Sequence, residues 1–345
     1  MSEAAGGTAG RGIAPPPAPT RREAVLGLAE ELGSAGVESA RLEAERLVCH
    51  ALGIDRAELA LTGAERLTPE EAGRLARAVG RRLSGEPLQH IEGTVAFRQL
   101  VLAADRRALI PRPETEQLVD LVAAWGARRS RQRAGGGESA VRVVRRPMTD
   151  PAGGFREADP SSGRRKRALV GCALDIGTGS GAIALSLAVE GIAARVVATD
   201  VSGEALEQAA ENRARLPPEV AERVELRRSA GPVWEPVRPG ERFDLIVSNP
   251  PYVTDRELEE LPPDVGDHEP REALAGGPDG LEVLREIVAE AARHLKPGGA
   301  LFLEIGPAQG EAVRRLLEAT GRWRRVEVEP DLTGRDRFVR AEPAF

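Results

Sequence analysis

Ala173-Leu174-Asp175-Ile176-Gly177-Thr178-Gly179-Ser180-Gly181-Ala182-Ile183-Ala184 passes from an apolar run through three glycines into small apolar residues. It reads as a buried strand, a tight turn and the first turn of a helix. Glycines let the backbone turn sharply and let a ligand approach it closely. Taken alone the turn is ambiguous, because Gly177, Gly179 and Ala182 also satisfy the dinucleotide-binding fingerprint. Asp200 closes the next apolar stretch, Arg195-Val196-Val197-Ala198-Thr199, and could bind ribose hydroxyls in either reading. Nucleotide or nucleoside binding is the expectation. The bland alternative is a structural turn with an exposed aspartate.

From about residue 169 strands and helices alternate. Leu169–Leu174, Arg195–Thr199, Arg223–Arg228 and Phe243–Val247 supply four strands, followed by Ala300–Glu304, Arg324–Val328 and Arg337–Arg340. Helices such as Gly203–Leu216 and Gly280–Leu295 fill the intervals, with Pro297-Gly298-Gly299 expected as a tight turn before the fifth strand. The expected fold class is α/β, a seven-stranded doubly wound sheet with ligands at its strand carboxyl ends. Gly177 and Asn249 both follow strands and should meet at one edge.

The second edge segment is Asn249-Pro250-Pro251-Tyr252, after the apolar strand Phe243-Asp244-Leu245-Ile246-Val247-Ser248. Pro250 and Pro251 cannot continue a central ladder, so the chain leaves the sheet there. Each proline pushes its predecessor toward extended geometry, which stiffens the turn carrying the Asn249 and Pro250 carbonyls. A row of acceptors beside one aromatic ring suits a planar amide or amino group. Dinucleotide dehydrogenases have no use for such a motif.

With Asp175 before the first glycine and Gly181 as the third, the turn resembles that of class I S-adenosylmethionine-dependent methyltransferases. Together with Pro111-Arg112-Pro113-Glu114-Thr115-Glu116, Asn249-Pro250-Pro251-Tyr252 and Glu269-Pro270-Arg271-Glu272-Ala273-Leu274, the chain closely resembles the protein-glutamine N5-methyltransferases, and among them the group modifying peptide chain release factors. The resemblance implies a methyltransferase sheet over 169–345, a small helical substrate-recognition domain over 20–90 and a bridging hairpin and helix over 91–127. It implies S-adenosyl-L-methionine as cofactor, with Asp175, Gly177, Thr178, Gly179, Ser180, Gly181, Asp200, Trp234 and Asn249 around it. Asn249, Pro250, Pro251, Tyr252 and Glu114 would meet the substrate. Asn249 and Pro250 would accept the amide hydrogens of the Gly-Gly-Gln glutamine, and Tyr252 would pack against its plane. Release factors are the implied partners. The chain departs from the family at Gln99, where the hairpin usually has glycine, and at Ser229-Ala230-Gly231-Pro232-Val233, which lacks a common acidic residue.

The helical region begins with Thr20 and Glu23, a capping box opening a helix through about Leu32. Ser39 is expected to cap a second helix carrying Leu42, Leu47 and Val48, with Gly53 as its stop. Thr68-Pro69-Glu70-Glu71 signals a third. The bridging helix is expected to end near Trp125. Residues 1–19 read as a disordered tail and 128–168 as a disordered insertion, with 12 basic and 4 acidic residues in the latter. An RNA-contacting arm is the sharper reading of that insertion, but Phe155 is its only aromatic residue.

The whole chain of 345 residues carries 48 basic and 54 acidic side chains, net −6, which argues against a surface built to coat nucleic acid. Direct nucleic-acid binding is therefore expected only through 128–168. The two cysteines, Cys49 and Cys172, suggest no disulfide framework, and the four histidines lack metal-ligand spacing, so no metal is expected. No apolar run is long enough to span a bilayer and no signal peptide is read, so a cytoplasmic protein is expected. A DNA or RNA adenine-N6 methyltransferase and a ribosomal-protein glutamine methyltransferase are the competing enzymes, since an exocyclic amine poses the same chemical problem.

Overall fold

The structure, a computed structural model, describes residues 18–133 and 168–345. The expected disordered tail and most of the expected insertion lie outside the described residues. The chain divides into two compact units between Ser84 and Gly85.

The first unit holds α1 (Arg21–Ser34), α2 (Ala40–Leu52), α3 (Arg56–Thr62) and α4 (Pro69–Leu83). Thr20 and Glu23 form a reciprocal capping box, as do Thr68 and Glu71, and Pro69 stands at the first helical position of α4. Gly53 ends α2 in the left-handed region at φ 71°. Ser39 occupies the cap position of α2, but its side chain makes no capping hydrogen bond, and Leu42 is 44% exposed. The core comes instead from Val25, Leu28, Leu32, Leu47 and Val48.

The second unit opens with α5 (Leu88–Glu92) and the antiparallel hairpin β1 (Thr94–Phe97) and β2 (Leu100–Ala103). Arg98 turns the hairpin at φ 54°, a conformation that costs a side-chain-bearing residue about 1–2 kcal/mol. It is held there by bonds to Glu190 at 2.7 Å and Asp120 at 3.0 Å and by its N–H on Glu116.

Helix α6 (Pro113–Arg133) follows and corrects the expected stop near Trp125. Its last turns are anchored by Arg129, which is buried, lies over the Trp125 ring and contacts the Pro297 carbonyl and Asp244. Residues 128–133 are thus helical.

The sheet comprises β3 (Val170–Ile176), β4 (Ala193–Asp200), β5 (Val224–Arg228), β6 (Phe243–Ser248), β7 (Leu295–Glu304), β8 (Trp323–Pro330) and β9 (Asp336–Pro343). Their spatial order is β5-β4-β3-β6-β7-β9-β8. The first five run parallel, and β9 pairs antiparallel with both β7 and β8. Alternate residues feed two cores. Ala173, Leu245, Val247 and Phe302 face the layer with α6 and α7 (Ala182–Val189), while Leu174, Ile246 and Leu301 face α12 (Glu282–His294) and α13 (Gly310–Ala319). Burial on both faces explains why the strands read as continuous apolar runs.

Pro297-Gly298-Gly299 is not a turn ahead of β7 but an irregularity within it. Phe243 pairs with Leu295 and Leu245 with Ala300, so the chain bulges opposite Asp244. That carboxylate accepts Lys296 Nζ and the Cys172 N–H, each at 3.0 Å.

Candidate active site

Strand order reverses between β3 and β6, and Ile176 lies opposite Ser248. The glycine turn and the Asn-Pro-Pro segment therefore leave the sheet side by side, at the point where such sheets bind ligands. A cavity of about 260 Å³ opens there. Gly177, Thr178, Gly179 and Ser180 line one side, Asp200 lies beside them, and Asn249, Pro250 and Pro251 line the other.

The turn is built as a cradle. Gly177, Gly179 and Gly181 take φ of 69°, 55° and 85°, which favour glycine. A side chain at Gly177 or Gly179 would meet no atom of the described residues within 4 Å, which leaves open space beside the backbone for a ligand. Gly181 instead starts α7 and abuts Leu185. The N–H groups of Gly177 and Thr178 both donate to the Thr199 carbonyl at 2.9 Å, tying the turn to β4.

Two carboxylates hold this cradle. Asp200 accepts the Gly179 N–H at 2.8 Å and the Ser202 N–H at 2.9 Å, and burial, outweighing those bonds, raises its pKa. Asp175 is fully buried and accepts the Thr178 hydroxyl at 2.7 Å and the Ala184 N–H at 3.1 Å through Oδ2. Its Oδ1 has no hydrogen-bond partner among the described residues, and burial pushes its pKa up to about 7. An unpaired buried acid of this kind suits a cationic amino group.

Asn249 Nδ2 donates to Thr115 Oγ1 at 3.2 Å, and the Thr115 hydroxyl donates to Glu304 at 2.8 Å. Glu304 is buried, and that burial carries its pKa to about 7 against the pull of Thr115, Arg337 and Arg112. Tyr252 is fixed from two sides. Arg337 lies over its ring and donates to its hydroxyl at 3.2 Å, while Gln309 Nε2 donates at 3.1 Å to the Tyr252 carbonyl. The Arg112 guanidinium meets buried Glu269 at 2.7 Å, joining the Pro-Arg-Pro-Glu-Thr segment to the Glu-Pro-Arg segment. Burial still takes Glu269 to about 7.

Several expected site residues are not on the cavity wall. Trp234 stacks on His294 with ring centroids 4.6 Å apart and donates its indole N–H to the Glu286 carbonyl. Trp234 therefore packs behind the cavity wall, which Val233 lines. Glu114 is likewise off the wall. Thr115, one residue on and buried, faces it, because adjacent positions of a helix point to different sides. Tyr252, Asp175 and Gly181 lie behind the lining and act on it through the bonds described. Glu304 was read only as the end of a strand and not as a site residue. Its signal was an acid closing the apolar strand Ala300-Leu301-Phe302-Leu303, the same pattern as Asp200 at the end of β4.

A doubly wound seven-stranded sheet with its last strand, β9, antiparallel to the rest, a glycine cradle over buried acids and an adjacent Asn-Pro-Pro-Tyr turn define an S-adenosylmethionine-dependent methyltransferase. Residues 23–93 match the PrmC N-terminal domain and residues 165–261 the Methyltransferase small domain. Proteins named release factor glutamine methyltransferase are similar over nearly the whole chain. That of Cereibacter sphaeroides is 40% identical over 319 residues, covering 92% of this chain and 97% of its own. The Moorella thermoacetica protein is 40% identical over 318 residues, with 92% and 96% covered. The Deinococcus radiodurans protein is 38% identical over 315 residues, with 91% and 95% covered. The chain belongs to the release factor glutamine methyltransferase family. It is an enzyme whose methyl donor is S-adenosyl-L-methionine. No helix among the described residues is long and apolar enough to cross a membrane.

Proposed function

We propose that this chain methylates the side-chain amide nitrogen of the glutamine in the Gly-Gly-Gln loop of peptide chain release factors, acting in the cytoplasm. The observation that carries this reading is the meeting of the glycine cradle and Asn249-Pro250 at one cavity, through the register of Ile176 with Ser248. The residues fit the cofactor: Gly177 and Gly179 leave backbone open to it, Asp200 offers acceptors for ribose hydroxyls, and Asp175 Oδ1 awaits a donor. When bound, S-adenosylmethionine supplies a methyl group on a positively charged sulfur.

A carboxamide nitrogen is a weak nucleophile because its lone pair is shared with the carbonyl. Asn249 Oδ1 and the Pro250 carbonyl accept its two hydrogens and so fix the direction in which the nitrogen faces. Holding reactants in a near-attack geometry contributes several kcal/mol, roughly 7–11 in well-oriented model reactions. Neutral acceptors also stabilise the positive charge that grows on nitrogen.

The test is incubation with labelled methyl donor and, separately, purified release factor, ribosomal protein and nucleic acid. Label confined to the Gly-Gly-Gln peptide is the expected result. Label in nucleic acid or ribosomal protein instead would replace this reading with one of its competitors.

A further inference from the structure

Three polar side chains from distant parts of the chain form a single relay beside the cavity. Glu304 ends β7, and the register of Ser248 with Leu303 brings it next to the strand that delivers Asn249. Thr115, near the start of α6, stands between them. Its hydroxyl donates to Glu304 at 2.8 Å while its oxygen accepts Asn249 Nδ2 at 3.2 Å.

The order of donors matters because an asparagine carboxamide can flip, exchanging oxygen and nitrogen with almost no change of shape. At pH 8, above the value of about 7 to which burial raises it, Glu304 is ionised and has no proton to give, so the single Thr115 proton is committed to it. Toward Asn249, Thr115 Oγ1 can then only accept. The flipped carboxamide would set Oδ1 against those lone pairs and turn Nδ2 toward the substrate, where two further N–H donors arrive. One orientation is satisfied on both sides and the other on neither.

We propose that Thr115, with its proton directed by Glu304, is a positioning residue that locks the Asn249 carboxamide with Nδ2 on the protein side and Oδ1 presented to the acceptor nitrogen. This rests on the reading of Asn249 given above. Thr115 touches no reacting atom in this scheme and acts only through Asn249. A mere helix-start or packing role for Thr115 predicts loss of stability without these selective effects.

The test uses the full chain at pH 8, with Thr115→Val, Thr115→Ser, Asn249→Ala and the Thr115→Val/Asn249→Ala pair. Thr115→Val keeps the shape and removes the hydroxyl. It should lower kcat about 10- to 100-fold, with peptide KM and cofactor Kd within about threefold of the parent. Thr115→Ser should restore kcat to within about threefold, since its hydroxyl can fill both roles. In the Asn249→Ala background, Thr115→Val should cost less than about twofold more, because residues acting as a unit are non-additive. Effects that multiply, or a serine variant as slow as the valine one, would overturn the proposal. A second readout needs no turnover: nuclear magnetic resonance of the unmutated protein. Its Asn249 side-chain NH2, assigned through Asn249→Asp or by sequential labelling, should show one proton protected from solvent exchange. Two freely exchanging protons would refute the orientation. If the unmutated enzyme transfers no methyl group to the Gly-Gly-Gln peptide, the proposed function fails, and the resonance measurement still decides the orientation.

Discussion

Replacing Gly280 with alanine tests how tightly the Asn-Pro-Pro-Tyr turn is clamped. Gly280 has φ 71°, and an added methyl group would lie well inside contact distance of the Tyr252 carbonyl oxygen, 3.2 Å from its carbon and 2.5 Å from Gln309 Nε2. Gln309 Nε2 donates to both the Tyr252 and Gly280 carbonyls at 3.1 Å, so the methyl group would enter the middle of that bridge. The left-handed conformation costs alanine about 1–2 kcal/mol and overpacking about 1–3, with about 1 for each hydrogen bond that yields. A total of roughly 3–5 kcal/mol follows, allowing for relief of the clash at the expense of the bonds. Gly240→Ala is the control: φ is 76° there, but nothing lies within 4 Å, so strain alone, about 1–2 kcal/mol, should appear. Urea unfolding of both variants measures the difference. Turnover of folded Gly280→Ala should fall while cofactor affinity holds, because the cradle hangs from β3 and β4. If Gly280→Ala costs no more than Gly240→Ala, the clamp is not the constraint described.

Asn249→Ala should reduce kcat about 100- to 1000-fold, the usual cost of one lost preorganised contact to a developing charge, while calorimetry shows cofactor affinity nearly unchanged. Near-normal turnover would remove Asn249 from the mechanism. Asp200→Ala should weaken cofactor binding by about 10- to 100-fold, since a charged hydrogen-bonding group is worth about 1.5–3 kcal/mol; an unaltered Kd would count against the ribose role. Asp175, Glu269 and Glu304 hold protons up to about 7 in the folded protein, against ordinary values of 3.8, 4.5 and 4.5. The folded state then binds more protons than the unfolded one between those limits, so their stabilising contribution is complete below about 4 and is lost as pH rises through about 7. Ligand-free protein should melt at a higher temperature at pH 6 than at pH 8, and Glu304→Gln should flatten the difference. A wild-type midpoint that rises over this interval would contradict the burial argument.

The centre of the sheet was legible because β3, β6 and β7 carry continuous buried runs and two junctions carry their own punctuation, glycines after β3 and prolines after β6. The same local logic failed where distant groups decide. The bridging helix reads as ending near Trp125, yet Arg129 finds Asp244 and the Pro297 carbonyl and the helix continues to Arg133. Pro297-Gly298-Gly299 read as a turn, yet it bulges around that same aspartate. Trp234 read as a ligand contact from its place in the chain, and only the partner ring of His294 reveals its packing. Most of the cradle and the Asn-Pro-Pro wall could be named in advance. Their supports could not, because Thr115, Gln309 and Arg337 reach the turn at 249–252 from α6, from the start of α13 and from β9.

The distribution of charge around the cavity explains why such supports are needed. Acids sit behind the cradle, where burial raises Asp175 and Asp200 and the charge of Asp200 raises Asp175 further. A bound ligand bearing positive charge would relieve that cost. The opposite wall faces a different demand. A carboxylate against the acceptor nitrogen would have to be desolvated and would compete for its proton, whereas an amide oxygen and a proline carbonyl only direct it. Neutral acceptors are weaker partners, so their value depends on being held in place before the substrate arrives. The prolines supply that rigidity along the backbone, and the Thr115–Glu304 pair supplies it at the one side chain in the motif that could otherwise turn over.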